Sequence, residues 1–550
     1  MTDVTESGIT PEFISLCSEL LGNDLLAYAL SCRPDELDAL GSSTLAPSQA
    51  QAEVANILSA IHSQIPEDVG VEDIERVFRG VLMDLDQENR PRIVRMHHYT
   101  SGQEVTFLAD NDDMVEFNLR NLALDVYPAF LLPPDREFGS MPQTVNIHVS
   151  SLAHRHPASA AFLHAVMADP LLQRAFPTDT EYSGKTGYAY TNAGSAWSLQ
   201  LLRFPNVLLE RAWRQLAASE RTPVAFSERA AEELKIARRL VQGRTSVVTL
   251  RHALAGVLLP PGTHATLDCG VLREATQQDW EVVPEHVKGM VETSTAAGET
   301  ISIHYEGDIV LDYNFPLRMR IQEWDPDNLR GEFPPDLPYP SEVGSTLTRL
   351  RFSLVLAAPR DGRVLLLPAW QTIDLPLSSG SGIGFADLKS NPSILPTQLT
   401  QTEFDEWMTL YTKLGTKSAK RLELAFGRIL RAMSERREPV DMLVDAVIAW
   451  ENLFGTKEGE PTLRVTSSIA ILLEQNFEAR AKLRKRLTDI YNLRSDVVHG
   501  NRNLEYSEYP QCFEALDIAI KVLKVMILDR PDILDLPDGA QRSNRLILGN

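Results

Sequence analysis

Cysteine is scarce and dispersed: Cys17, Cys32, Cys269 and Cys512 are the four in 550 residues. None stands in a CxxC or other metal-ligand spacing, so they read as reduced, structural thiols. No stretch approaches 18 uninterrupted apolar residues, and no membrane span is expected. The opening residues, MTDVTESGITPEF, are acidic and lack the charged-then-apolar order of a secretory signal. Cations are outnumbered: 53 Lys and Arg face 75 Asp and Glu, a net charge of −22. Such a surface repels the phosphate backbone, which excludes a general nucleic-acid coat and confines any RNA contact to a local basic patch. A cytoplasmic location fits these absences.

What is present is the composition of a folded, multidomain chain. At 43% apolar and 23% charged residues the sequence is ordinary for globular proteins, and 550 residues exceed a single core. The expected class is multidomain α+β, with four consecutive parts. Residues 1–70 carry helical spacing in Ile14, Leu20, Leu21 and Leu25, then in Val54, Ile57, Leu58 and Ile61, a small helix-turn-helix-like module. Its one basic residue, Arg33, argues against a DNA reader and for a structural or protein-binding module. Residues 71–243 read as mixed α/β, with strands expected at Glu104–Leu108 and Thr144–His148 and helices at about 157–175 and 205–243.

Residues 244–400 read as a β-rich, sandwich-like domain with runs such as Ser246–Leu250, Ile301–Tyr305 and Arg363–Leu367. A Ser/Gly/Pro linker from Pro376 to Gln401 closes it. Residues 403–535 read as an all-α bundle with helices near 403–415, 418–437, 440–454, 462–476, 478–494 and 509–529.

Within that bundle Tyr491-Asn492-Leu493-Arg494-Ser495-Asp496-Val497-Val498-His499-Gly500 sets an arginine and a histidine four residues apart, counted between them. The spacing is weak by itself, since Arg92 and His97 repeat it after Pro91, ahead of an apparent strand and with no bundle expected around them. Context carries the reading. Upstream lie Trp450-Glu451-Asn452-Leu453-Phe454 and Ile469-Ala470-Ile471-Leu472-Leu473, and downstream a long apolar helix from Phe513 to Leu528. Over roughly residues 418–530 this order resembles the Apea-like HEPN domain family of the HEPN ribonuclease superfamily.

The resemblance implies metal-independent RNA cleavage through 2′-hydroxyl attack, leaving a cyclic phosphate, in bacterial stress or phage defence. It implies no cofactor and no metal, a homodimer with a composite cleft, and tRNA or mRNA as substrate. The chemistry suits the residues. A histidine of near-neutral pKa moves the hydroxyl proton, and an arginine fork steadies the scissile phosphate. Ser495 or Asp496 could orient the imidazole, and Glu451 could pair Arg494. Arg480, Lys482, Arg484, Lys485 and Arg486 form the basic patch expected to hold RNA, with Lys417, Lys420, Arg421, Arg428 and Arg431 on an earlier helix. The N-terminal part is then a sensing or restraining region for an unidentified regulator.

Plainer readings stand beside these. Arg494 could cap a helix end and His499 satisfy a loop. Five residues set the two side chains about 140° apart on a continuous helix, so the motif needs a break in the helix or a dimer partner to converge. The bundle could be a non-catalytic dimerisation scaffold. Ser183-Gly184-Lys185-Thr186 lacks the first glycine of a phosphate loop, Asp179 standing there, and His154, His156 and His164 lack partners for a metal.

Overall fold

A computed structural model describes residues 9–549, apart from 43, 67–69, 106–112, 134–146, 177–186, 282–289, 295–299, 305–306, 324–335, 338, 359–365, 374, 379–381, 386–396, 416–420, 435, 437 and 457–459. The chain divides into two compact units, each assembled from separated stretches. One comprises Met1–Val248, Pro316–Tyr339 and Asp374–Ser381; the other comprises Thr249–Phe315, Pro340–Ile373 and Gly382–Asn550.

The first unit is predominantly helical well past residue 70. Helices Pro11–Leu21 and Asn23–Leu30 bury Ile14, Leu20, Leu21 and Leu25 as read from the sequence, while Gln49–Ser63 buries Val54 and Leu58 but leaves Ile57 exposed. Thr10 and Ser48 supply the N-caps, their side chains accepting from Phe13 and Gln51. More helices follow at Val71–Met83, Arg92–Ser101, Met114–Phe130, Ile147–Arg155, Pro157–Ala168, Phe204–Gln215 and Pro223–Val241. Two sequence expectations fail here. The Arg92–His97 copy, expected to have no bundle around it, lies on a helix packed within this helical unit. Ile147 and His148 begin a helix as well, while Thr144–Asn146 and Thr106–Leu108 lie outside the described residues. Propensity favoured a strand at Thr144–His148, but tertiary packing decides such short apolar runs. Its described residues hold one small sheet, Gly187–Thr191 with Ala196–Ser198 and Met319–Glu323. The lysine and threonine of the apparent phosphate loop fall outside the described residues.

The second unit joins a sheet to the bundle. Its strands are β1 (Ser246–Ala255), β2 (His264–Leu267), β3 (Gly270–Glu274), β4 (Ile309–Leu317), β5 (Leu367–Ile373) and β6 (Gly382–Phe385), in spatial order β6-β5-β1-β4-β3-β2. Arg363–Val364–Leu365 precedes β5 outside the described residues. Two features correct the reading of a separate sandwich followed by a linker. Strands β6 and Thr397–Gln398 lie inside the expected linker. A helix that the β-rich reading missed, α1 (Ser341–Ala357), packs on α2 (Gln401–Leu414), where Trp407 donates its indole N–H to the Leu350 carbonyl at 2.9 Å. Arg349 of α1 lies over the Tyr411 ring at 3.8 Å and donates to Asp268 after β2, so sheet, α1 and α2 share one anchor.

The bundle continues with α3 (Glu423–Ser434), α4 (Pro439–Phe454), α5 (Pro461–Leu473), α6 (Phe477–Val498), α7 (Tyr509–Leu528) and α8 (Gly539–Leu548). Fully buried Trp407, Phe426, Trp450 and Phe454 form its interior, each such side chain stabilising by roughly 2–3 kcal/mol. Phe352 of α1 stacks on Phe426 of α3 at 4.0 Å. Helix α7, nearly all apolar, is covered within its own unit by α1, α2, α3 and α4 as well as α5 and α6. A symmetry mate is therefore not needed to shield it. Among the described residues no single helix is long and apolar enough to cross a membrane; Pro11–Leu21 and Asn23–Leu30 pass only as a pair bent by 118°.

His252 on β1 is 4% exposed, and burial pushes its pKa down to about 4. The unfolded chain takes up that proton near pH 6.5, so the stabilising effect is whole above that pH and is lost as pH falls towards 4. The unfolding free energy should drop across this window by about 3 kcal/mol more in the native chain than in His252→Leu, measured by chemical denaturation.

Candidate functional site

The helix bearing the Arg494–His499 motif is set by its ends. Asn476 caps its start, accepting from Glu478 N at 2.8 Å, and Leu487, Ile490 and Leu493 form its buried stripe. It does not stop at Arg494 but runs on to Val498, with His499 as C-cap. Gly500 then takes φ +71°, and Asn501 N returns to the Asp496 carbonyl at 2.9 Å, a left-handed stop that favours glycine. Arg494 thus lies a full turn inside the helix and does not cap it.

Its guanidinium faces α4. Arg494 Nη2 lies 4.0 Å from Glu451 Oε2, and Tyr491, three residues before it, donates its hydroxyl to Glu451 Oε1 at 2.5 Å. Glu451 is thereby held by two side chains of one helix face, the i,i+3 pair of α6. Burial, and next the bond to Glu451, push the Tyr491 phenol up to about 12. Arg494 Nε is buried with no hydrogen-bond partner in the described residues, which leaves a donor of the fork unfilled. Tyr491 did not stand out in the sequence as a site residue, although its spacing from Arg494 marks it.

His499 is different. Its ring is exposed, and its backbone N–H goes to the Ser495 carbonyl at 3.0 Å. Neither Ser495 nor Asp496 bonds to the imidazole among the described residues. The Asp496 carboxylate instead accepts from Asn501 Nδ2 at 3.4 Å and lies 3.9 Å from Arg502, itself paired with Glu508. Asp496 thus contacts the loop into α7 rather than the imidazole, Asn501 through one carboxylate oxygen and Arg502 through the other.

The basic patch divides. Arg480 donates to the Glu474 carbonyl at 3.1 Å and to that of Gln475 at 3.3 Å, tying the end of α5 to the start of α6. Arg486 is bidentate on Glu514, at 2.6 and 3.0 Å. Lys482, Arg484 and Lys485 are exposed and have no ion-pair partner among the described residues. On the earlier helix Arg428 and Arg436 share the buried Asp445, and Arg421 donates to the Asp535 carbonyl; Lys417 and Lys420 lie outside the described residues.

The second copy of the spacing has another fate. His97 stacks on Tyr28 at 4.0 Å, and its Nδ1 lies 2.7 Å from the Tyr28 carbonyl. A carbonyl only accepts, so Nδ1 carries the proton, and burial holds the ring's pKa below the usual histidine range. It is a core histidine. His156 caps helix Pro157–Ala168 and faces Asp125 at 3.2 Å, and no group of three or more His, Cys, Asp or Glu among the described residues is arranged to hold a metal.

Comparison of the chain with protein-family models, curated proteins and solved structures gives no match.

The clamp on Glu451 can be read directly. Glu451→Ala should bring the Tyr491 phenol part of the way back from about 12 towards its ordinary value, seen as an earlier tyrosinate rise in ultraviolet difference absorbance against Tyr491→Phe. An unchanged titration would mean that burial alone sets it.

Proposed function

We propose that this chain is a metal-independent endoribonuclease of the HEPN type, with Arg494 and His499 as its working pair. One observation carries the reading. The same helix end holds the Arg494 guanidinium half-buried against Glu451, and leaves the His499 ring open to solvent five residues later. In the reaction His499 takes the 2′-hydroxyl proton while the 2′-oxygen bonds to phosphorus. The bond from phosphorus to the 5′-oxygen breaks, and that oxygen leaves with a proton. Arg494 neutralises the charge that gathers on the phosphoryl oxygens. A 2′,3′-cyclic phosphate remains.

Arg494 lies inside the helix and His499 caps its end five residues on, a spacing that helical geometry would set about 140° apart. A composite site, Arg494 of one copy and His499 of a second meeting the same phosphate across a homodimer, would bring them together. This rests on divergence alone, since α7 is already covered. A second reading, a non-catalytic interaction bundle, is favoured by the engagement of Asp496 with Asn501 and Arg502, which leaves the imidazole without an orienting group. In either case the Met1–Val248 unit is the natural place for a regulator.

His499→Ala and Arg494→Ala should each lower cleavage of total RNA or tRNA in EDTA by about 10²-fold or more, with cyclic-phosphate ends mapped in the native digest. Native rates in both would overturn the assignment in favour of the interaction bundle. Arg92→Ala should leave cleavage unchanged; His97→Ala is a poor control because that ring belongs to the core. Specific activity should fall on dilution as dimers separate, and a monomer of constant specific activity would refute the composite site.

Charge reversal at Lys482, Arg484 and Lys485 should flatten the salt dependence of RNA binding by about 0.7 in slope for each phosphate no longer neutralised. An unchanged slope would make this face merely solvated.

A further inference from the structure

Helix α7, with Leu483 of α6 and the end of α5, encloses a groove of about 1070 Å³. Leu473, Leu483, Ile518 and Val525 give it apolar walls, and Tyr506, Tyr509 and Phe513 bring aromatic rings. Tyr506 is 85% exposed and Phe513 48%, unusual for rings that nothing covers, and Tyr506 lies 5.1 Å from Tyr509 at a tilt of 55°. The charges in the lining largely cancel. Glu514 is neutralised by Arg486 and Lys524 by Glu406 at 2.6 Å, while Asp517 and Lys521 stand one turn apart on α7. Glu474 is the remaining acid. Such a lining neither draws nor strongly repels a phosphate; it suits flat, uncharged faces.

The cations are just outside. Lys482 precedes Arg486 by one turn on α6, the helix that gives the groove Leu483; Lys482 and Lys485 are both exposed, and Arg486 pairs with the lining residue Glu514.

We propose that this groove seats the unpaired bases of single-stranded RNA on Tyr506, Tyr509 and Phe513, while Lys482 and Lys485 carry the phosphates. It rests on the endoribonuclease reading, and the reaction itself requires it. In-line attack needs the 2′-oxygen, phosphorus and 5′-oxygen nearly collinear, which stacked A-form RNA does not allow. The substrate nucleotide must leave its stack, and exposed aromatic rings are what receive a splayed base. Duplex RNA presents no such base and is excluded from the site.

The test separates binding from cleavage. Full-length His499→Ala protein in EDTA is titrated with a short fluorescein-labelled single-stranded RNA, with its duplex, and with a copy of the single strand made abasic at its centre. Fluorescence anisotropy should show the single strand binding tightest, and Tyr506→Ala and Phe513→Ala should each weaken it by about 5- to 150-fold. Tyr506→Trp should restore affinity, and because Tyr506 is so exposed its replacement leaves the fold intact, as circular dichroism would verify. Equal binding of the abasic strand or duplex would overturn the proposal, as would indifference to Tyr506. So would a basic amphipathic peptide that fills the groove in a Tyr506-dependent way while RNA does not. Tyr506-dependent binding by a chain that never cleaves would sink the nuclease reading alone; cleavage that survives Tyr506→Ala with binding unmoved would sink the groove alone.

Discussion

The last turn of α4 is the point on which the bundle's geometry depends. Its terminal carbonyls are orphaned by helix geometry, and the fully buried Arg542 of α8 answers them, donating towards Leu453 O at 3.3 Å and Asn452 O at 3.5 Å and to Leu536 O at 3.0 Å. Burial lowers the pKa of this guanidinium, and a helix C-terminus is the place where a cation without a carboxylate partner is least costly. Gly539 packs so closely that a Cβ there would lie 2.8 Å from the Gly455 carbonyl. Glu451, in the same turn, is thereby fixed where Tyr491 and Arg494 can hold it. A change at the far C-terminus would reach the motif through backbone position, not through any direct contact.

Charge follows the same logic of prior commitment. A count of cations along α6 suggests a continuous RNA-binding face, yet Arg480 and Arg486 already serve the fold, one on carbonyls and one on Glu514. The buried Asp445 takes two more, Arg428 and Arg436. Removing either partner of such a pair leaves an uncompensated charge in a low dielectric, which costs far more than a surface pair contributes. What stays open to a phosphate is Lys482, Arg484 and Lys485, three exposed cations on a chain of net charge −22. So few contacts give weaker and less salt-sensitive binding, and base stacking in the groove would supply what charge does not.

The two Arg-x4-His segments show why spacing alone says little. The first lies on a helix within a helical unit, where no bundle was expected around it. His97 sits inside its helix, half-buried and stacked on Tyr28, whereas His499 is the first residue past its helix and is exposed. A proton carrier needs solvent or substrate on one side, and the second ring is the more open.

Sequence pattern determined the helical bundle, its N-terminal and C-terminal stops and its apolar faces, because caps, prolines and a 3.6-residue period act within a few residues of one another. Pro439, Pro461 and Gly500 all fall at the helix boundaries they announced. The pairing of Glu451 with Arg494 was legible too, as an acid beside Trp450 on an apolar helix. Tertiary structure alone decided the rest. It recruited Tyr491 to Glu451, turned Asp496 away from His499, folded a helix from Ser341 to Ala357 into a stretch that reads as strands, and covered α7 with it. Each of these rests on partners far apart in the chain or on competition among donors for one carboxylate, and neither leaves a local period for the sequence to display.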